Sequence, residues 1–172
     1  MKKYQIGKSN IHGRGVILAK DVKKDEIIFI FMGKEITYTG GAWQLNPNHL
    51  QIGYARWIEP SSGSAGRFLN HSCHPTAGIR GKNTIVAIRD LKKGEEVTTD
   101  YALSETYPLW HMECRCKNSN CRKFVKPYQD LSDQRRYGFR AYTSKYILDM
   151  KMHLSWKDYL EQKTKRSSWR RG

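Results

Sequence analysis

Apolar positions in this chain come in short runs, separated by polar stretches that carry glycine or proline. Tyr4-Gln5-Ile6-Gly7, Val16-Ile17-Leu18-Ala19 and Glu26-Ile27-Ile28-Phe29-Ile30-Phe31 read as three short strands. Lys20-Asp21-Val22-Lys23-Lys24-Asp25 is a polar turn before the third. Gln51 to Glu59 reads as a further strand, and Thr84-Ile85-Val86-Ala87-Ile88 and Glu96-Val97-Thr98-Thr99 as two more. Between these last two, Arg89-Asp90-Leu91-Lys92-Lys93-Gly94 is a turn closed by glycine. It resembles the earlier polar turn, although two instances do not make a repeat array. Thr39-Gly40-Gly41 and Asn46-Pro47-Asn48 are turn signals, and Pro60 to Gly66 is a loop of small residues. Short strands at close spacing predict a mainly β chain. With no strand–helix alternation, they argue against a doubly wound parallel sheet.

The pattern changes at Lys126. Residues 126–172 hold 12 Lys and Arg against 5 Asp and Glu, with aromatics interleaved. Tyr142, Tyr146 and Met150 fall four apart, a helical spacing. Ser155 could cap a second helix beginning at Trp156. The expectation is a pair of helices packed on the domain by their aromatics, with a frayed end from Lys163 to Gly172.

Composition narrows the class. A length of 172 residues suits one domain with a modest appendage. A hydrophobic fraction of 38% and a mean hydropathy of −0.74 imply a small core. No apolar run approaches the ~18 residues of a membrane helix. Met1-Lys2-Lys3-Tyr4-Gln5 lacks the apolar stretch of a signal peptide, so an intracellular site, cytoplasmic or nuclear, is expected. The net charge of +15 favours nucleic acid, an acidic protein surface or an anionic membrane, unless it is a compositional bias serving solubility.

Two stretches carry chemistry. Arg67-Phe68-Leu69-Asn70-His71-Ser72-Cys73-His74-Pro75 sets short polar side chains after a Phe-Leu pair, and these donate, accept and ligate better than they pack. Cys114, Cys116 and Cys121 place three thiols in eight residues, and the fourth cysteine, Cys73, lies in the first stretch. Zinc takes four ligands, so a tetrahedral site is a candidate. His71, His74 and His111 could compete as ligands, and disulfides or free thiols are the alternative. Gly13-Arg14-Gly15 lets backbone approach a ligand closely, or is simply a tight turn.

Taken in order, Gly13-Arg14-Gly15, Asn70-His71-Ser72-Cys73, the Glu95-Glu96-x-x-x-Asp100-Tyr101 pattern and the cysteine cluster closely resemble the SET-domain family of protein lysine methyltransferases. The resemblance covers residues 4 to 123. It implies a mainly β fold of several small antiparallel sheets with a knot-like C-terminal threading, followed here by a helical extension. The implied division is a SET domain over 1–106, a zinc segment of the post-SET kind over 107–125, and a basic aromatic extension over 126–172.

The same resemblance implies S-adenosylmethionine as cofactor and one structural zinc held by Cys73, Cys114, Cys116 and Cys121. Gly13, Arg14 and Gly15 would hold the cofactor through their backbone. The Asn70 side chain and His71 backbone would meet its amino-acid part and adenine, with Arg67 and Phe68 lining the same pocket. Tyr101 matches the catalytic tyrosine. Tyr54 sits where many members place a second active-site tyrosine, and is otherwise an ordinary strand residue. Glu95 and Glu96 look like a paired acid/base site, but successive strand residues face opposite ways, which favours structural roles.

Three departures stand out. Thr99 replaces a Phe or Tyr associated with how many methyl groups are added, and Thr76 replaces a commoner Asn. Lys117 and Lys123 replace glycines of the cysteine cluster. With no cysteine-rich segment before the domain, the chain resembles compact prokaryotic or viral members. The expected function is methyl transfer to lysine side chains of a protein, a basic chromatin-like protein or another such as a ribosomal one. The expected partners are a protein with an exposed lysine and nucleic acid through the basic extension, with no membrane, and the chain a monomer. The alternative is a non-catalytic zinc-containing module of this fold that binds nucleic acid or a chromatin-like protein.

Overall fold

The computed structural model describes residues 2–37 and 48–150. In chain order the strands are β1 (Tyr4–Lys8), β2 (Arg14–Leu18), β3 (Ile27–Ile30), β4 (Gly33–Thr37), β5 (Leu50–Gly53), β6 (Arg56–Pro60), β7 (Asn70–His71), β8 (Ala77–Arg80), β9 (Thr84–Ala87), β10 (Glu96–Thr99), β11 (Met112–Glu113) and β12 (Phe124–Val125). Among the described residues two short helices follow, α1 (Asp133–Gly138) and α2 (Lys145–Asp149). The fold is mainly β, as the run lengths predict.

The strands form four small sheets, ordered β1-β2-β10-β7, β3-β9-β8, β4-β6-β5 and β11-β12. Among the described residues all pairings are antiparallel except one. β7 runs parallel to β10, with Asn70 beside Thr98 and His71 beside Thr99. β10 also pairs with β2, setting Val97 beside Val16 across 81 positions of sequence. Alternation explains the core: Val16 and Leu18 from β2, Val97 from β10 and Ile85 from β9 are almost wholly buried.

The two similar polar turns pack against each other. Val22 and Leu91 exchange backbone hydrogen bonds of 3.0 and 2.8 Å. Lys92 pairs with Asp21 at 2.8 Å and Lys23 with Asp90 at 2.9 Å, so each turn supplies one cation and one anion to the other.

Two sequence readings change. The strand expected over Gln51 to Glu59 is a hairpin of β5 and β6, because the chain reverses at Tyr54-Ala55 with Ala55 in the left-handed region at φ 52°. The helical spacing of Tyr142, Tyr146 and Met150 is broken at Thr143, whose extended backbone (φ −94°, ψ 141°) separates a 3₁₀ turn over Arg140–Tyr142 from α2. Helical character in the described part of the extension is thus confined to short pieces. That part still docks on the sheets: Ser144 N donates to Leu103 O and Lys145 N to Gly81 O, both at 2.9 Å. The helix expected from Ser155, the end from Lys163 to Gly172 and the turn signals over 39–41 and 46–47 lie outside the described residues. Among the described residues no helix is long and apolar enough to cross a membrane.

Candidate active site and metal corner

The parallel β7–β10 pairing is what assembles the site. Beyond it, Ser72 N donates to Thr99 O at 3.0 Å and Thr76 N to Thr98 O at 3.2 Å. The Thr76 hydroxyl donates to Glu96 O at 2.9 Å. The segment from Leu69 to Thr76 is therefore laid along the segment from Glu96 to Tyr101. At its end the Tyr101 hydroxyl donates to Leu69 O at 2.5 Å, and Tyr101 N donates to His71 Nδ1 at 3.2 Å. Accepting at Nδ1 leaves the His71 proton on Nε2, which faces Cys73 Sγ at 3.5 Å. Burial pushes the imidazole down to about 4, against the pull of Asp100, so it is neutral at pH 7. Burial likewise pushes the Tyr101 hydroxyl well above its ordinary range, so it keeps its proton.

Asn70 holds the glycine turn in place. Its Nδ2 lies 2.8 to 3.2 Å from four acceptors: Glu96 Oε1, Ser9 Oγ, Arg14 O and His12 O. Ser9 Oγ donates in turn to the Glu96 carboxylate at 2.8 Å. Gly13 sits at φ +53°, a conformation glycine adopts freely, and a Cβ on Gly15 would run into Glu96 Oε1. Glu95 faces the other way, onto Arg89 and Lys92 N.

Two cavities meet at Tyr101. A wide cleft, with about 290 Å³ open to the centre of a water molecule, is lined by Asn70, His71, Tyr101, His12, Met112 and Arg115 among others. A narrow pocket has only about 20 Å³ of such room. Its walls include Trp57, Thr99, Leu69 and Glu105, and Tyr101 again. Gly13, Arg14, Gly15, Arg67 and Phe68 border neither cavity directly. The Arg14 guanidinium stacks 4.7 Å over the Phe68 ring, beside the turn, and Arg67 is exposed. Tyr54, in the β5–β6 turn and 44% exposed, also borders neither cavity.

Next to this lies a metal-competent corner. The sulfurs of Cys73, Cys114, Cys116 and Cys121 all lie within 4.8 Å of one another, and Cys73 Sγ is 3.6 Å from Cys114 Sγ. Four thiolates around one zinc at bonds of ~2.3 Å place the sulfurs about 3.8 Å apart, so the donor set fits. Amide and guanidinium N–H groups already point at sulfur. Arg122 N and Nε each reach Cys73 Sγ at 3.4 Å, Cys116 N reaches Cys114 Sγ at 3.5 Å, and Lys123 N reaches Cys121 Sγ at 3.4 Å. Such donors stabilise thiolates, the form a metal requires. His74 and His111 are not part of the cluster. Lys117 and Lys123 take left-handed φ values of 57° and 64°, a physical reason for the glycines usual there.

A wholly buried carboxylate joins the two halves. Asp100 receives Arg122 at 2.6 Å and Arg135, from α1, at 2.8 Å. Arg135 also donates to Cys73 O. Neither arginine stands out in a sequence so rich in cations. Glu105 was equally hidden, because Ser104-Glu105-Thr106 reads as a polar surface loop. It is nevertheless 5% exposed, with Tyr107 N donating to Oε1 at 2.7 Å and Trp57 Nε1 to Oε2 at 3.3 Å. Burial pushes its carboxyl up to about 7.

Two cavities that share Tyr101 as a wall residue bring one protonated hydroxyl to both. A family model for the SET domain matches residues 13–102, and the chain belongs to that family. It is 30% identical over 140 residues to the histone-lysine N-methyltransferase, H3 lysine-36 specific, of Candida albicans, covering 72% of this chain and 16% of that protein. It is 28% identical over 147 residues to the histone-lysine N-methyltransferase ASHH2 of Arabidopsis thaliana, covering 72% of this chain and 8% of that protein. It is also 28% identical over 140 residues to the human histone-lysine N-methyltransferase 2B, covering 70% and 5% respectively. The chain thus spans a small fraction of the length of these relatives.

Proposed function

We propose that this chain is a protein-lysine N-methyltransferase that uses S-adenosylmethionine. The carrying observation is that Tyr101, neutral at pH 7, lies in the shared wall of a wide cleft and a narrow pocket. On this reading the cleft takes S-adenosylmethionine and the pocket takes the lysine side chain. When bound, S-adenosylmethionine supplies an electrophilic methyl group. Tyr101 spends its proton on Leu69 O, which leaves its lone pairs for a polar group arriving from either side. Asn70 and Glu96 hold the Gly13–Gly15 turn next to His12, a wall residue of the cleft, and Arg14 stacks on Phe68 beside that turn; these residues and Arg67 are proposed to reach the cofactor from just outside the cleft. Tyr54 is proposed as a contact for the substrate protein outside the pocket. The narrowness of the pocket suits an unbranched alkyl amine.

Cys73, Cys114, Cys116 and Cys121 are proposed to hold one structural zinc, which would brace the wall formed by residues 107–125. The proposed units are a SET domain over 1–106, this zinc segment, and a basic extension over 126–172. The names of the relatives point to histone lysines, and that substrate class is proposed here too. A charge of +15 repels a free basic tail, so a basic protein already held on nucleic acid is the better substrate. Nucleic-acid contact through the extension, an intracellular location and a monomeric state complete the proposal.

The test is incubation with labelled S-adenosylmethionine and either free histones or nucleosomes, followed by identification of the labelled residue. Label on a lysine, stronger on nucleosomes, supports the reading. Tight binding of S-adenosylmethionine and nucleosomes without transfer would favour the non-catalytic alternative.

A further inference from the structure

Glu105 has no charged partner to account for its burial. Its carboxylate accepts only neutral N–H groups, from the backbone of Tyr107 and Thr106 and from the Trp57 indole, and among the described residues no cation pairs with it. Buried acids ordinarily have a cation or are avoided, because desolvating a lone carboxylate costs several kcal/mol. The ionisable side chains near it do not supply one. Burial holds the Tyr101 and Tyr146 hydroxyls in their protonated, neutral forms, and holds His49 below its ordinary range, so neutral at pH 7. The residue also lines the narrow pocket, together with Trp57, Thr99 and Tyr101. An aromatic-walled slot with a lone carboxylate in its wall is built for a cation on a slender stem.

We infer that Glu105 is the acceptor for the incoming amine: its carboxylate pairs with the ammonium group of the substrate lysine in the pocket and takes one of its protons. This rests on the lysine-methyltransferase reading for its substrate. In the step, one N–H bond of the ammonium breaks and an O–H bond forms on Glu105. The electron pair stays on nitrogen, so a charged pair becomes a neutral amine beside a neutral carboxylic acid. Away from water that exchange is favourable, because two buried charges vanish together. A carboxyl poised near neutrality is matched to it. The proton returns to water through the pocket mouth when the product leaves. Thr99, smaller than an aromatic residue at that position, forms part of the slot's wall together with Tyr101.

The test separates amine recognition from methyl transfer. n-Butylammonium and the uncharged 1-pentanol are titrated into the intact zinc-loaded protein without S-adenosylmethionine, with the fluorescence of the buried Trp57 and its neighbours as readout. Wild-type protein should bind the amine better than the alcohol. Glu105→Gln should weaken the amine on the order of tenfold to a hundredfold, as expected for loss of one partner of a buried charge pair, and leave the alcohol unchanged. Glu105→Asp, which keeps the charge, should restore part of the preference, and guards against Glu105→Gln failing to fold. With S-adenosylmethionine present, Glu105→Gln should raise KM for the protein substrate and lower kcat while leaving cofactor affinity intact. Equal binding of n-butylammonium by wild type and Glu105→Gln, both folded, overturns the inference. Charge-dependent amine binding in a protein that transfers no methyl group would uphold it and overturn the methyltransferase reading instead.

Discussion

Arg122 holds Cys73 and Asp100 with one guanidinium. Its Nε reaches the Cys73 sulfur at 3.4 Å and its terminal nitrogen reaches the Asp100 carboxylate at 2.6 Å. Since Asp100 precedes Tyr101 and Cys73 belongs to the metal corner, the tyrosine and the thiolates share a support. Arg135 completes it from α1, touching Asp100 and the Cys73 carbonyl.

Removing one guanidinium should therefore be expensive. Asp100 is 0% exposed, and truncating one partner of a buried ion pair costs about 3–5 kcal/mol. Arg122→Ala is expected to lower unfolding free energy by about that amount in denaturant titration of zinc-loaded protein. A change within the ±0.5 kcal/mol of ordinary surface substitutions would mean Arg135 alone suffices.

The tyrosine itself should behave differently. Tyr101→Phe removes the hydroxyl without a cavity, so kcat should drop by on the order of tenfold to a thousandfold while S-adenosylmethionine affinity stays near wild type. Lost cofactor binding with normal turnover per bound cofactor would make Tyr101 a wall residue only.

The four cysteines should fail as a unit. Elemental analysis is expected to find about one zinc per chain, and Cys73→Ser should lose it as readily as Cys116→Ser, although 41 positions separate Cys73 from Cys114. Full zinc content after Cys73→Ser would refute the shared site.

Glu105 has a pH signature. Its carboxyl titrates at about 7 in the folded chain against 4.5 ordinarily. Below pH 4.5 both states hold the proton and stability is unaffected. As pH rises toward 7 the unfolded chain loses its proton first, so stability falls, by about 3 kcal/mol in total. Glu105→Gln lacks this loss. Its advantage over wild type in unfolding free energy should grow between pH 5 and pH 8. Parallel curves would show that the carboxyl ionises normally.

Much of this was legible from the chain alone, for identifiable reasons. Strands announced themselves because β-branched runs must be buried, and the grouping of Cys73 with Cys114, Cys116 and Cys121 came from the family resemblance, which the clustered sulfurs match. The reciprocal turns were visible as two similar stretches, though nothing in their spelling said that Asp21 would meet Lys92. Glu105 was illegible because burial of a polar residue depends on what folds over it, here Trp57 from β6. Arg122 and Arg135 were lost among 31 basic residues. The extension misled because Tyr142 and Tyr146 keep helical spacing while meeting separate neighbours, and Met150 is 40% exposed. Tyr142 lies against Gly78, whereas the Tyr146 hydroxyl donates to Ser104 O at 2.9 Å.

The pairing of β2 with β10 also governs how the molecule can be made. A ribosome emits residues in order, at roughly 5–20 per second. The glycine turn near residue 14 therefore waits several seconds for Asn70 and Glu96, which hold it. Until then the β1–β2 hairpin has an unpaired edge, the hydrogen-bonding row later claimed by Val97. Nascent chains arrested before residue 96 should thus be aggregation-prone, and only chains extended past Cys121 carry all four sulfurs of the metal-competent corner.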